Sequence, residues 1–128
     1  MSIRSPLARA RGMGSAKDGV GHWWAQRVSA VALIPLSLWF VFSLLSHAGG
    51  SHASVVTWLS SPLVAVPLAL YLGAIFYHSQ LGLQVVVEDY VHSEWLKLSS
   101  LILLQFINIA LAVSAIFAVL FVALGGAK

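Results

Sequence analysis

Charged residues are absent from two long parts of the chain, and these gaps predict its architecture. No Lys, Arg, Asp or Glu occurs in residues 28–87 or in residues 98–127. A helix needs about 20 mostly apolar residues to cross the hydrocarbon core of a bilayer. The first stretch therefore has room for two spans and the second for one. The pattern predicts spans at about 24–45, 62–87 and 98–124.

Two polar segments separate these predicted spans. Residues 46–61 contain adjacent glycines, two histidines and several serines, which are typical of a short loop. Residues 88–97 carry three of the four acidic residues and separate the second span from the third. We therefore divide the chain into a basic arm at 1–20 and a three-helix membrane domain at 21–128.

The overall composition excludes a soluble enzyme. Of the 128 residues 59% are apolar and 9% are charged, whereas roughly a quarter of the residues in an average soluble domain are charged. One domain of this size cannot bury so much apolar surface. The chain has no cysteine, so it cannot itself hold an iron–sulfur cluster or use a thiol. Its net charge of only +3 leads us to expect no nucleic-acid partner.

The distribution of the cations predicts the orientation in the membrane. Five of the seven Lys and Arg residues lie in residues 1–27, and the loop at 46–61 has none. Because cytoplasmic segments are enriched in Lys and Arg, the N-terminus is expected in the cytoplasm. The predicted fold class is an all-α integral membrane protein with three transmembrane helices.

His78 is the main candidate for a functional residue inside the membrane. It lies nine residues before Val87, so we expect it roughly 13–14 Å from the inner boundary. Small residues, Ala74 and Gly82, lie one turn away on either side and would let a flat or bulky group approach. Two interpretations remain open: an axial ligand of haem iron, and a histidine hydrogen-bonded between helices. A bis-histidine haem would need its second ligand from another chain.

Four further residues near the inner boundary each allow two interpretations. Asp89 and Tyr90 could bind a quinone head group, the tyrosine by hydrogen bonding and the aspartate by orienting it or supplying protons. They could equally be ordinary residues at a helix end. Arg27 could pair with an anionic group such as a haem propionate, or extend to the interface without a specific partner. His22 has the same two interpretations.

Other polar residues of the spans have structural interpretations. Gln105 and Asn108 lie three residues apart in the third span, so they share a helix face. We expect them to bind helices together. Ser61 and Pro62 fit an N-cap followed by a first-turn proline, which would start the second span.

The order of these segments resembles a known family. GHWWAQRVSAVALIPL at 21–36, HSQLGLQVVVEDYVH at 78–92 and an apolar third helix are similar to the D-type hydrophobic membrane anchor of bacterial succinate dehydrogenase, respiratory complex II. The resemblance runs from about residue 21 to the end. The Ser-Pro-His signature of the larger C-type anchor is absent from the sequence. The most specific element is His-x3-Gly-x-Gln-x4-Asp-Tyr, met as His78, Gly82, Gln84, Asp89 and Tyr90.

The resemblance implies a four-subunit succinate:quinone oxidoreductase in the bacterial inner membrane. A flavoprotein subunit would oxidise succinate, and an iron–sulfur subunit would relay the electrons. The C-type and D-type anchors would hold haem b between them and form the site where ubiquinone is reduced. The chain itself would supply no catalytic residue, so it would not be an enzyme alone.

The resemblance also implies roles for individual residues. His78 looks like the axial ligand of the haem b iron. Tyr90 looks like the hydroxyl that hydrogen-bonds the quinone, and Asp89 looks like its neighbour in that pocket. Arg27 aligns with an arginine near the haem propionates. His22 stands one residue closer to that arginine than the histidine of some family members, and it too is expected near the haem.

Two other classes of protein compete with the anchor subunit. A small channel or transporter subunit could use His78 as a gating or proton-carrying group. A structural membrane adaptor could use it only to join helices. The Asp89–Tyr90 ending and the small residues around His78 favour the anchor, because a pore would need a more polar lining than Gln105 and Asn108 provide.

Overall fold

The structure is a computed structural model, and it describes residues 16–126. Every regular element in this part of the chain is an α-helix. In chain order the elements are α1 (Ala16–His47), α2 (His52–Leu59), α3 (Pro62–Tyr90) and α4 (Glu94–Ala123).

Three helical segments are long and apolar enough to cross a membrane. They are Val20–His47, Pro62–Tyr90 and Glu94–Ala123, with 28, 29 and 30 residues. The three predicted spans are thereby confirmed as candidates. Each helix extends beyond its predicted span at the end near residues 16–24 or 87–98, because a helix continues into the interfacial region that an apolar window does not count, whereas α4 ends one residue before its predicted span. α1 begins at Ala16, within the predicted basic arm, and the division into arm and membrane domain stays a prediction.

The segment at 46–61 is not a simple loop, and that part of the prediction is wrong. Gly49 has a φ of 85°, a left-handed conformation that glycine adopts without strain, and it lies just after the end of α1. The short helix α2 then begins after Ser51, whose Oγ accepts a hydrogen bond from the backbone N–H of Ser54 at 3.3 Å. This cap satisfies one of the free N–H groups of the first turn, which favours a helix where composition indicated a loop.

α3 begins as its sequence predicts, although its cap differs in detail. Ser61 is the N-cap and Pro62 lies in the first turn. The side chain of Ser61 makes no capping hydrogen bond. Its carbonyl oxygen instead accepts hydrogen bonds from the N–H groups of Val64 and Ala65, both at 2.9 Å. The extended backbone of Ser61 and the fixed φ of the proline therefore start the helix without a side-chain cap.

The central helix of the bundle is α3. It packs against α1 on one side and α4 on the other, and α2 packs against α3 and α4. α1 and α3 run antiparallel, because Ser29 meets His78 near one end and Phe40 stacks on Tyr71 further along, with ring centroids 5.1 Å apart. Residues of α1 can therefore face residues near the end of α3.

Most large apolar side chains point outwards. Among residues whose exposure is described, the buried apolar residues are Ala65, Leu68 and Leu81, all on α3. No residue of α4 is buried. A helix that is apolar on all sides is typical of a membrane span or of the interior of a larger assembly. The outer surfaces of the bundle therefore suit lipid or another subunit.

A cluster at the α2 end ties the short helix to α1. The ring of His47 stacks on that of Trp58, with centroids 4.8 Å apart. The indole N–H of Trp58 donates a hydrogen bond to Ser43 Oγ at 3.1 Å. We call His47, Ser43 and Trp58 the His47 cluster. It lies at the opposite end of the bundle from Tyr90, where α3 ends.

Candidate functional site

A cavity of about 910 Å³ lies between α1 and the second half of α3. Its wall combines apolar, small and polar side chains, as is typical of a binding site for an organic group. Three of the residues predicted from the sequence to bind haem are brought together in it. The lining residues are His22, Trp23, Gln26, Arg27, Ala30, His78, Gly82, Gln84, Val85 and Glu88.

His78 makes contacts across the cavity through both ring nitrogens. Its Nδ1 lies 3.0 Å from Ser29 Oγ, and its Nε2 lies 3.4 Å from Gln26 Nε2. Ser29 is buried, and its hydroxyl also donates a hydrogen bond to the backbone carbonyl of Gln26 at 3.0 Å. Both ring nitrogens of His78 therefore face α1. Nδ1 lies within hydrogen-bond distance of Ser29, whereas the contact of Nε2 with Gln26 is longer.

Polar atoms in the cavity wall lack partners. His22 Nε2 and Gln26 Oε1 are both buried and accept or donate no hydrogen bond. A buried polar atom without a partner costs free energy, about 1–3 kcal/mol in mutational data. Such atoms indicate a site whose bonding capacity is not used within the chain, which is what a site for a polar-edged cofactor requires.

The donor set fits haem better than a bare metal ion. Within residues 16–126, no three His, Asp or Glu side chains are grouped to hold a metal. A single imidazole beside a cavity would suit haem, because the porphyrin itself would supply most of the ligands of the iron. Gly82 leaves space between α3 and α1 at the cavity wall, since a Cβ there would lie 3.4 Å from Gln26 Nε2. The residues present therefore fit haem.

One cation and one anion line this cavity. The Arg27 guanidinium stacks over the ring of Trp23, with its central carbon 4.4 Å from the ring centroid. This cation–π contact holds the side chain beside the opening. The Glu88 carboxylate accepts a hydrogen bond from the Gln84 amide at 2.8 Å. Arg27 is thus a cation at the cavity wall that pairs with an aromatic ring, while Glu88 is anchored to its own helix.

Asp89 and Tyr90 lie outside the cavity. Both side chains are exposed at the end of α3, and Tyr90 is 77% exposed. In that part of the helix the cavity is lined by Glu88 and not by Asp89. The structure therefore brings together His22, Arg27 and His78, and it leaves the two predicted quinone residues free at the adjoining helix end.

Two residues of this site, Gln26 and Ser29, were given no role on sequence grounds. They follow His22 at spacings of four and seven residues, which places all three on one face of α1. A polar stripe at this spacing in an apolar helix could have identified them. This pattern is not specific to binding sites, because single Gln and Ser residues also occur in membrane helices, where they form hydrogen bonds with neighbouring helices.

Gln105 and Asn108 were both predicted to bind helices together, and only Asn108 does so in the structure. Asn108 Nδ2 donates a hydrogen bond to the backbone carbonyl of Phe76 at 2.7 Å and so joins α4 to α3. The side chain of Gln105 is exposed. Of this pair, only Asn108 therefore joins the two helices through a side-chain hydrogen bond.

The fold and cavity define a class of protein. Three candidate membrane spans, few buried residues among those described and a cavity of mixed polarity between two helices are typical of a small multi-pass membrane subunit. The family model described as succinate dehydrogenase/fumarate reductase transmembrane subunit matches residues 1–124. The chain belongs to this family, and it is a membrane anchor subunit of the succinate dehydrogenase complex.

Individual relatives of the chain carry the same description. The chain is 34% identical over 120 residues to the succinate dehydrogenase hydrophobic membrane anchor subunit of Rickettsia bellii, covering 93% of this chain and 95% of the relative. The subunit of the same description from Rickettsia conorii is 29% identical over the same shares. That of Paracoccus denitrificans is 32% identical over 90 residues, or 70% of each chain. The resemblance inferred from the motifs at 21–36 and 78–92 is thereby confirmed.

Proposed function

We propose that the cavity between α1 and α3 is this subunit's share of a haem b site, with His78 as an axial ligand of the iron. The observation that carries this proposal is the convergence of His78, His22 and Arg27 on one cavity with unpartnered polar atoms in its wall. Haem would supply a group that accepts and donates single electrons. A second axial ligand would come from the partner anchor subunit.

The cationic and imidazole side chains of α1 would hold the edge of the haem. Arg27 presents a planar guanidinium, which suits a carboxylate because it can donate two parallel hydrogen bonds. Its stacking on Trp23 reduces the conformational freedom that binding would otherwise cost. His22 has a buried Nε2 without a partner, which a propionate oxygen or a water molecule could satisfy.

Tyr90 and Asp89 are proposed to contribute to the quinone site. The hydroxyl of a largely exposed tyrosine is available as a donor to a quinone carbonyl. The adjacent carboxylate of Asp89 would orient that hydroxyl or pass protons from the aqueous side. Twelve residues separate Tyr90 from His78, roughly 18 Å along the helix, so the quinone and haem sites would be distinct.

The proposed setting is a bacterial complex II in the inner membrane. The partners would be a C-type cytochrome b anchor, an iron–sulfur subunit and a flavoprotein that oxidises succinate. The N-terminus would face the cytoplasm, as the cation distribution predicts. Tyr90 would then lie on the cytoplasmic side, where electrons from the iron–sulfur subunit and protons for ubiquinone reduction are both accessible.

The haem proposal is tested by comparing two histidine variants in the purified complex. His78→Ala is expected to abolish or sharply reduce the b-type band in the reduced-minus-oxidised spectrum. His47→Ala removes a histidine from the end of α1 that is remote from the cavity, and it should leave that band intact. A full haem band in His78→Ala would contradict the proposal, and it would favour the interpretation in which this histidine only joins helices.

The quinone proposal is tested by removing one oxygen atom. Tyr90→Phe should lower succinate:ubiquinone reductase activity at least tenfold, because the ring stays while its donor is lost. Succinate oxidation by an artificial soluble acceptor should remain at the wild-type rate. Tyr77→Phe, also exposed on α3, is the matched control. Equal loss of both activities in Tyr90→Phe would count against the proposed role.

A further inference from the structure

The contact between His78 and Ser29 carries information about the protonation of the histidine. Ser29 is 8% exposed, and its Oγ lies 3.0 Å from His78 Nδ1. The same oxygen donates to the Gln26 carbonyl, also at 3.0 Å. These two distances place a buried hydroxyl between a ring nitrogen and a carbonyl oxygen.

The number of protons available fixes which atom donates in each of these two hydrogen bonds. A serine hydroxyl has one proton, and a carbonyl oxygen can only accept. The proton of Ser29 therefore points to the Gln26 carbonyl, and only a lone pair of Oγ remains for His78. The Nδ1 atom must then carry a proton and donate it to this lone pair. The assignment follows from the hydrogen-bond network, as it does for any histidine whose hydrogens are not directly located.

The second edge of the ring agrees with this assignment. A neutral imidazole protonated at Nδ1 has an unprotonated Nε2 with a free lone pair. The Gln26 amide nitrogen, which can only donate, is the atom that approaches Nε2, at 3.4 Å. This contact is too long to be a strong hydrogen bond, so little free energy opposes its replacement by another group.

We infer that Ser29 is a positioning residue for His78. It holds the imidazole in the tautomer protonated at Nδ1 and directs the lone pair of Nε2 into the cavity, ready to bind iron. This inference rests on the proposed function, because it assumes that His78 is the axial ligand. Beyond that proposal, the Ser29 hydroxyl fixes the tautomer of His78, and the backbone carbonyl of Gln26 in turn fixes the hydroxyl.

The same hydrogen bond should tune the bound iron. A ligating histidine that donates its second N–H to an acceptor becomes a more basic ligand, and such outer partners typically change metal affinity or activity 10–100-fold. A more basic ligand favours ferric over ferrous iron. Loss of the acceptor is therefore expected to raise the midpoint potential of the haem.

The test uses three variants of the intact purified complex. Ser29→Ala removes the acceptor, Ser29→Thr keeps a hydroxyl, and Ser37→Ala makes the same change two turns further along α1, outside the cavity lining. The readout is the haem midpoint potential from a redox titration followed by the b-type band. Ser29→Ala should reduce the preference for ferric iron threefold to tenfold, a rise of about 30 to 60 mV for a one-electron couple. The other two variants should stay near the wild-type value.

Each outcome decides the inference. A wild-type potential in Ser29→Ala with full haem content would overturn it, as would an equal shift in Ser29→Thr, since packing would then be the cause. If Ser29→Ala loses its haem, retention in Ser29→Thr supports positioning and loss from both overturns it. Failure of this inference is distinguishable from failure of the haem proposal. The haem proposal fails if His78→Ala keeps the b-type band, whereas this inference can fail through the Ser29 variants while His78→Ala still loses that band.

Discussion

His47 and His78 show how different the surroundings of two histidines can be in one small bundle. The Nδ1 atom of His47 lies 2.9 Å from the carbonyl of Ser43, one turn earlier on the same helix. Its ring is covered by Trp58, whose indole N–H in turn binds the Ser43 hydroxyl. The bonding and stacking capacity of His47 is largely used within the chain.

His78 instead reaches across to another helix and faces open space. It contacts Ser29 and Gln26 of α1, and it lines a cavity that also contains an unpartnered nitrogen of His22. The comparison teaches that a histidine in an apolar helix is not informative by itself. The adjoining cavity and the unused polar atoms distinguish the surroundings of His78 from those of His47, which residue type alone could not do.

The largest effect is expected from filling the cavity beside His78. Gly82→Leu would extend a branched side chain from the cavity wall, where even a Cβ would approach Gln26 Nε2 to 3.4 Å. Haem content per assembled complex, measured by the pyridine haemochrome spectrum, should fall more than tenfold, because close packing leaves no room for both groups.

A second glycine of the same helix provides the control. A Cβ at Gly73 would meet no atom within 4 Å, and Gly73 does not line the cavity. Gly73→Leu should therefore leave the haem content near the wild-type value. Equal haem loss from both variants would show that α3 tolerates leucine at neither glycine, and it would remove the distinction between the cavity and the rest of the helix.

A smaller effect is expected at the His47 cluster, and on stability alone. His47→Ala loses the stacking on Trp58, and aromatic pairs contribute about 0.5–1.5 kcal/mol beyond the area that they bury. The thermal dissociation midpoint of the purified complex should fall by on the order of 2 °C. Haem content should not change.

The variant His47→Phe separates the two contacts of this histidine. Phenylalanine keeps a ring over Trp58 and removes only the hydrogen bond to the Ser43 carbonyl. Most of the lost stability should therefore return. Haem loss from either variant would mean that the two ends of α1 are coupled and that the contrast between the two histidines is not local.

The smallest effect is expected where α4 meets α3. Asn108→Leu removes the hydrogen bond to the Phe76 carbonyl, and such bonds between membrane helices average about 0.6 kcal/mol. The thermal midpoint should fall by on the order of 1 °C, measured beside Gln105→Leu, whose exposed side chain is expected to contribute nothing comparable. A larger fall for Gln105→Leu would reverse the assignment of the contact.

The spans could be predicted from the sequence because they depend on averages. The two apolar runs within the charge-free residues 28–87 are each long enough to cross a bilayer, whatever their neighbours are. Helix α2 escaped prediction for the opposite reason. Its formation depends on one side-chain cap at Ser51 and on contacts of Trp58 with α1, and neither is visible in the composition of a polar segment.

The site was predictable to the extent that its residues are chemically unusual in a membrane. His78, Arg27 and His22 stand out as ionisable groups in or beside apolar helices, and all three line the cavity. Gln26 and Ser29 do not stand out, because their importance comes from the residue that they face across the helix interface. Only the antiparallel packing of α1 on α3 brings 29 beside 78.

The cavity lies at the interface whose two helices are joined by the longer connection. α3 passes to α4 through three residues, 91–93, whereas fourteen residues, 48–61, separate α1 from α3. A longer connection makes closure of an interface entropically more costly. A group bound by His78 on one side and Arg27 on the other would act as a removable cross-link between the first helix and the helical hairpin formed by the rest. Cofactor occupancy would then help to hold the three spans together as one folded unit.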